Sequence, residues 1–121
     1  MVNIKEGHVA GFPKTYRHPR RNERLADVIT HGVGVLLSLI AFFYLLITVS
    51  MTKDVQKIIS VSIYSISLIT AYFSSTIYHL YVYYHPVPHK KFKRLLLIFD
   101  HAAIFFLIAG TYTPILTTYF K

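Results

Sequence analysis

The sequence lacks cysteine entirely and contains few charged residues, and both shortages limit what the protein can do. Without cysteine there is no disulfide framework and no thiolate metal site, so any metal must be bound through nitrogen and oxygen. Only 15% of the 121 residues are charged, whereas an ordinary soluble domain carries roughly a quarter. Hydrophobic residues make up 54% of the chain. This balance predicts a membrane protein.

Long charge-poor windows indicate how the chain crosses a bilayer. Windows at residues 29–51, 58–84 and 95–120 each exceed the length of about 20 apolar residues that spans the hydrocarbon as a helix. None of them alternates apolar and polar residues with a period of two, so a closed β-barrel is not indicated. We therefore predict an all-α membrane protein with three transmembrane helices. Residues 1–28 are expected to form a basic cytoplasmic segment and 29–121 the transmembrane portion.

The basic residues are distributed unevenly, and their distribution predicts the orientation of the chain. A net charge of +8 would suggest a nucleic-acid partner for a soluble protein, but here we expect none. Six Lys and Arg residues precede the first window and four lie between the second and third, while the other flanks hold three. Cytoplasmic loops are the ones enriched in Lys and Arg. We predict a multi-pass cell-membrane protein with the N-terminus in the cytoplasm, the C-terminus outside, and anionic lipids contacting the basic N-terminal segment.

Seven ionisable or hydroxyl-bearing residues lie near the predicted cytoplasmic ends of the three windows. They are Glu23, Asp27, His31, Ser75, His79, Asp100 and His101. A spacing of four residues places the side chains of the first three on one helical face, and the same holds for the next two. Ionisable residues inside a membrane are costly and mark functional sites. Because all three helices contribute at one membrane depth, we predict a shared polar site.

Three stretches of the sequence, DVITHGVGVLLSL, SSTIYHL and FDHAAIFFLIAGTYTP, closely resemble the hemolysin III family, the bacterial relatives of the progestin and adipoQ receptors. The resemblance extends from about residue 23 to residue 119. It implies a seven-helix membrane bundle with its N-terminus inside the cell, of which this chain would be the first three helices. It also implies a zinc ion held near the cytoplasmic side by three histidines.

The resemblance further implies roles for individual residues. His79 would be a zinc ligand, because it ends a Ser-x-x-x-His motif that begins at Ser75. Asp100 and Ser75 would be catalytic residues that hold the attacking water. The family signature in the first helix combines an acidic residue, an asparagine and a histidine, and here Asp27 replaces the asparagine.

The two other zinc ligands of the family form a His-x-x-x-His motif in its last helix, which these residues do not include. His85 and His89 have the same spacing, but Pro86 and Pro88 prevent the helical turn that would bring them together. We therefore expect a truncated chain whose zinc site is incomplete, unless a second chain or an oligomer completes it.

Each candidate residue also has a structural alternative. His79 lies among several tyrosines and could belong to an interfacial aromatic belt, while His31 could be a hydrogen-bonded packing residue. Asp100 could stabilise the positive N-terminus of the third helix and pair with a basic residue just before it. His101 points about 100° away from Asp100 on a helical wheel, so we expect a structural or proton-handling role for it.

Three functions are compatible with these features. The seven-helix form resembles zinc-dependent membrane hydrolases, which would cleave an amide in a lipid-like substrate. The family name suggests instead a non-enzymatic protein, either membrane-perturbing and cytolytic or receptor-like and sensing, in which the polar residues are structural. The third alternative is an inactive fragment, and we expect no turnover from this chain alone.

Overall fold

The computed structural model describes residues 19–120, which form three long α-helices. They are α1 (Arg21–Ser50), α2 (Val55–Tyr84) and α3 (Lys90–Tyr119). Each is long and apolar enough to cross a membrane. Among these described residues there is no β-strand. The prediction of an all-α membrane protein with three spanning helices is confirmed.

The helices begin earlier than the charge-poor windows that predicted them. The helix α1, for example, begins at Arg21 and its window at residue 29. A helix of 30 residues is about 45 Å long, which exceeds the hydrocarbon thickness of about 30 Å. The added turns are polar, and that of α2 is capped by a side chain: Asp54 Oδ1 accepts backbone N–H groups from Gln56 and Lys57 at 3.1 and 3.2 Å. The hydropathy windows therefore predicted only the membrane-embedded part of each helix and did not include its polar first turns.

The helix α2 lies at the centre of the bundle. The other two helices each pack along it, and within the described part of the chain no direct contact joins α1 to α3. Short connections at residues 51–54 and 85–89 make successive helices antiparallel. The start of α1 thus lies beside the end of α2, where Arg24 Nη1 donates to the Val82 carbonyl at 3.4 Å. The start of α3 lies at the same end of the bundle, which is the end that carries the polar residues.

Small residues line the contacts between the helices. Every buried residue within 19–120 is glycine, serine or alanine: Gly34, Ser38, Ser60, Ser65, Ser67, Ser75, Ala103 and Gly110. Large apolar side chains face outward, and Phe105 is 72% exposed. Lipid tails are as apolar as these side chains, so helix association depends on close backbone approach and on hydrogen bonds between helices. One such bond joins Ser60 Oγ to Thr117 Oγ1 at 2.9 Å.

The approach of α1 to α2 gives a prediction with a matched control in the same helix. A Cβ atom at Gly34 would overlap the ring of Tyr72, whereas one at Gly32 would meet nothing within 4 Å. We expect Gly34→Ala to reduce the free energy of unfolding by about 1–3 kcal/mol. Gly32→Ala should leave it unchanged or raise it by up to about 1 kcal/mol, because alanine has the higher helix propensity. Unfolding in mixed detergent micelles measures both, and equal stabilities would contradict the close contact.

Candidate polar site at the shared end of the helices

His79 on α2 lies at the centre of a group of polar contacts with α1. Its Nδ1 is 3.8 Å from Asp27 Oδ2, and its side chain is 23% exposed. Its ring stacks on that of His31, with centroids 4.7 Å apart and planes 16° from parallel. Tyr78 covers another side of the ring edge-on, at 5.2 Å. The spacing of four residues predicted that Asp27 and His31 share a face of α1, and in the structure both contact His79.

A cavity next to this group is lined partly by residues of the third helix, α3. Its volume is about 190 Å³. It is lined by His31, Ala71, Tyr72, Ser75, Asp100, Ile104 and Leu107, so all three helices contribute. Ser75 is only 7% exposed. Asp100 lines this cavity together with His31 and Ser75. Polar side chains from three separate parts of the sequence therefore meet at one depth of the bundle.

The structure argues against the alternative in which Asp100 stabilises the N-terminus of α3 and pairs with a nearby basic residue. Because α3 begins at Lys90, Asp100 lies almost three helical turns from the helix N-terminus. The influence of the helix dipole falls off within the first turn. Among the described residues, Asp100 forms no ion pair with Lys93 or Arg94. Lys93 instead lines a cavity of about 240 Å³ on the side of His79 that faces Asp27.

Two predicted site residues lie apart from the others. The carboxylate of Glu23 accepts the backbone N–H of Arg20 at 2.9 Å, at the start of α1. His101 is exposed on α3, and its Nδ1 lies 2.8 Å from the Leu97 carbonyl of its own helix. It lines a shallow apolar groove with Phe105 and does not line the cavity that holds Asp100. The other five predicted residues are the ones that come together.

The connection between α2 and α3 is organised by a tyrosine. The hydroxyl of Tyr81 accepts the backbone N–H of His89 at 3.0 Å, and the ring of Tyr81 stacks on His85 with centroids 4.4 Å apart. Residues 85–89 form no helical turn. The prolines of this segment thus have the effect expected from the sequence, and His85 and His89 do not share a helical face.

Three residues that line these cavities were not predicted from the sequence. Tyr72 lines the cavity with Asp100, and its ring centroid is 6.5 Å from that of His31. Arg24 and Lys93 line the cavity beside His79. A signal for Tyr72 was present, since it precedes His79 by seven residues and so lies on the same helical face. Its aromatic character is also typical of a lipid-facing position.

The residues present fit part of a zinc site. Imidazole nitrogen and carboxylate oxygen are suitable zinc ligands. Asp27 beside Nδ1 of His79 leaves Nε2 as the metal-binding atom, an arrangement common to histidine ligands supported by a carboxylate. His31 and His79 have nearly parallel stacked rings, so their in-plane lone pairs do not converge on one ion. Within residues 19–120 no group of three or more His, Cys, Asp or Glu residues is arranged to hold a metal.

Comparisons with known proteins agree with the sequence motifs. The profile of the family described as "Haemolysin-III related" matches residues 20–121. A "Hemolysin-3 homolog" from Bacillus subtilis (strain 168) is 45% identical over 94 residues, which cover 78% of this chain and 41% of that protein. A "Hemolysin-3" from Bacillus cereus is 38% identical over 94 residues, which cover 78% of this chain and 40% of that protein.

The matched region includes the three helices and the polar site between them. The chain spans less than half the length of these relatives. No solved structure matches the chain at a significant level. Because the family profile covers all of the helical part of the sequence, the chain belongs to the haemolysin-III related family.

Proposed function

We propose that the three helices form the N-terminal part of a zinc-dependent membrane hydrolase site, in which His79 is a metal ligand. The observation that carries this proposal is the meeting of polar side chains from all three helices at one depth of the bundle. A scatter of tolerated polar residues would not converge in this way. The substrate class we propose is a lipid-like amide, since a site between membrane helices is reached from the bilayer.

Each residue around His79 has a separate role in the proposed hydrolysis. When bound, zinc supplies a Lewis acid that polarises the amide carbonyl. Asp100 acts as a general base and accepts a proton from the attacking water. Ser75, one helical turn before His79, orients that water or the imidazole ring. Asp27 Oδ2 lies 3.8 Å from Nδ1 of His79, so its negative charge favours a proton on Nδ1 and leaves Nε2 for the metal.

The remaining zinc ligands come from outside these three helices. The helices α1 and α3 flank α2 without contacting each other in the described part of the chain, so further helices are needed opposite α2 to close the cavity. The relatives extend well beyond the matched region. We propose that a seven-helix bundle forms, with the added helices supplied by the same polypeptide or by a second chain. The three helices alone are not expected to turn over substrate.

The same end of the bundle is proposed to face the cytoplasm. The basic residues in the first turns of α1 and α3 lie on this side, and cytoplasmic flanks are enriched in Lys and Arg. The N-terminus is then inside the cell and the C-terminus outside. Basic residues at a membrane surface attract anionic headgroups, so the N-terminal segment contacts anionic lipids.

Metal content and assembly state together test the hydrolase proposal. The protein is purified in detergent from cells grown with added zinc, and zinc per chain is measured by elemental mass spectrometry alongside the molar mass of the protein–detergent complex. We expect zinc to co-purify with an assembled species, and release of fatty acid from a short-chain N-acyl amide to follow the zinc content. Absence of zinc from every assembled species would contradict the role of His79.

A membrane-perturbing protein is the second proposal, favoured by the name of the Bacillus cereus relative, "Hemolysin-3". In this case the polar site is structural. Reconstitution into dye-loaded liposomes should then cause leakage, and Asp100→Asn should leave the leakage rate within about twofold, because a neutral isostere preserves the packing of a surrounding polar cluster. Liposomes that remain tight with both proteins would count against this function.

A further inference from the structure

A second, larger cavity lies between the start of α1 and the end of α2, apart from the cavity that holds Asp100. Its volume is about 640 Å³. It is lined by Pro19, Arg21, Arg24, Tyr83, Tyr84 and Pro86. Both charged residues in this lining are arginines, and the other lining residues are tyrosine and proline. The cavity therefore combines a strong positive charge with a largely apolar wall.

The two arginines have hydrogen-bond donors that the described residues do not use. The guanidinium carbon of Arg21 lies 5.6 Å from the ring centroid of Tyr83, which holds it by a cation–π contact. Arg24 donates through Nη1 to the Val82 carbonyl at 3.4 Å. Its Nε is buried and has no hydrogen-bond partner within residues 19–120. Because this Nε is buried, a ligand in the cavity would be contacted by the terminal guanidinium nitrogens instead.

The acidic residues nearest in sequence lie outside the cavity lining. Glu23 accepts the backbone N–H of Arg20, and Asp27 contacts His79. Neither carboxylate lines the cavity with the two arginines. Arg24 also lines the smaller cavity beside His79 together with Asp27, whereas Arg21 does not. The planar guanidinium groups suit the paired oxygens of a phosphate.

The position of the cavity indicates where that phosphate comes from. Tyr83 and Tyr84 end α2, and tyrosines concentrate at the depth of the lipid headgroups. The cavity therefore lies where phospholipid phosphates are abundant, and its tyrosine and proline wall suits the glycerol and upper acyl carbons. A free phosphate ion has the same charge chemistry and would leave that wall unused.

We propose that this cavity binds the phosphate of an anionic phospholipid headgroup, with Arg21 and Arg24 as the recognising residues. The inference rests on the proposed contact between anionic lipids and the N-terminal segment, which it narrows to one site. It does not depend on zinc or on hydrolysis.

Calorimetric titration of the detergent-solubilised protein tests the site. The probes are dihexanoyl phosphatidylglycerol, dihexanoyl phosphatidylcholine and inorganic phosphate. We expect the anionic lipid to bind most tightly, and the double variant Arg21→Gln/Arg24→Gln to weaken its binding by about tenfold or more, because two charge-assisted contacts are lost. Arg21→Lys/Arg24→Lys keeps the charge and loses the planar fork, so it should also bind more weakly than the wild type.

The matched control is Lys90→Gln/Lys91→Gln, which removes the same charge at two exposed positions outside the cavity lining. We expect it to change binding by less than about twofold. Equal losses in the two glutamine variants would show a general basic surface and overturn the site. The single variant Arg21→Gln keeps the Arg24–Val82 hydrogen bond and tests the site if the double variant does not fold.

Two further measurements separate lipid binding from phosphate binding, and this site from the proposed zinc site. Inorganic phosphate binding as tightly as phosphatidylglycerol would overturn the lipid assignment, as would equal binding of the two lipids. Zinc content is measured on the same preparations. In Arg21→Gln, which alters a residue outside the cavity beside His79, a lost lipid preference with unchanged zinc supports this site independently of the metal. Zinc absent from the wild type with an intact lipid preference overturns the hydrolase proposal alone.

Discussion

Replacing His79 with alanine is expected to weaken zinc binding more than about a hundredfold, since removal of a direct ligand should exceed the 10–100-fold effect of its supporting groups. In the proposed site Nε2 of His79 would bind the metal, because Nδ1 faces Asp27 Oδ2 at 3.8 Å. His31 is not expected to replace it, because the two rings are stacked nearly parallel and their in-plane lone pairs do not converge on one ion. Zinc competition with a chromophoric chelator measures the change.

The matched control for this experiment is His101→Ala. The chemical change is identical, but His101 is exposed on α3 and lies in a groove separate from the polar site. We expect its zinc affinity to equal that of the unaltered protein. Comparable losses in both variants would mean that zinc is bound non-specifically by surface histidines. Circular dichroism of each variant checks that the helices are retained.

Replacing Asp27 with alanine is expected to weaken metal binding by about 10–100-fold. Asp27 Oδ2 lies 3.8 Å from Nδ1 of His79, and in the proposed site it would orient the ring so that Nε2 binds the metal. Asp27→Asn should recover part of the loss, because the amide oxygen can occupy the same position as an acceptor. Cobalt substituted for zinc reports on the ligand geometry through its visible absorption, independently of any turnover.

Glu23→Ala is the control for the Asp27 variants. Glu23 is an acidic residue four positions earlier in the sequence, and its carboxylate accepts the Arg20 N–H at the start of α1. Its loss should destabilise the helix end by about 0.5–2 kcal/mol without altering the cobalt spectrum. If Glu23→Ala and Asp27→Ala weakened metal binding equally, the effect would come from the total negative charge of α1 and not from a contact with His79.

The spans of the three helices could be predicted from hydropathy because the bilayer demands long apolar segments with internally satisfied backbone hydrogen bonds. The helix ends could not, since their first turns are polar and depend on local capping, as at Asp54. The face shared by Asp27 and His31 followed from a spacing of four residues. The same spacing did not show that Glu23 lies apart from Asp27 and His31, because spacing along α1 does not indicate where α2 ends.

The close approach of the helices was only partly visible in the sequence. Gly34 and Ser38 have a spacing that favours helix contact, and both are buried. The contact of Gly110 with Ser67 joins residues far apart in the chain, and no local pattern pairs them. The role of Tyr72 was hidden for a similar reason, since a tyrosine in a membrane helix can face lipid or a cavity.

By itself, the sequence determined that this is a helical membrane protein with three spans, and its motifs were sufficient to indicate the family. Composition and residue spacing control those properties, because each helix meets the bilayer independently of the others. Only the tertiary structure decided that α2 lies between α1 and α3, and that Asp100 lines one cavity together with His31. The positions of the helices relative to one another depend on which small residues pack against each other. Such contacts join distant parts of the chain, so no local pattern predicts them.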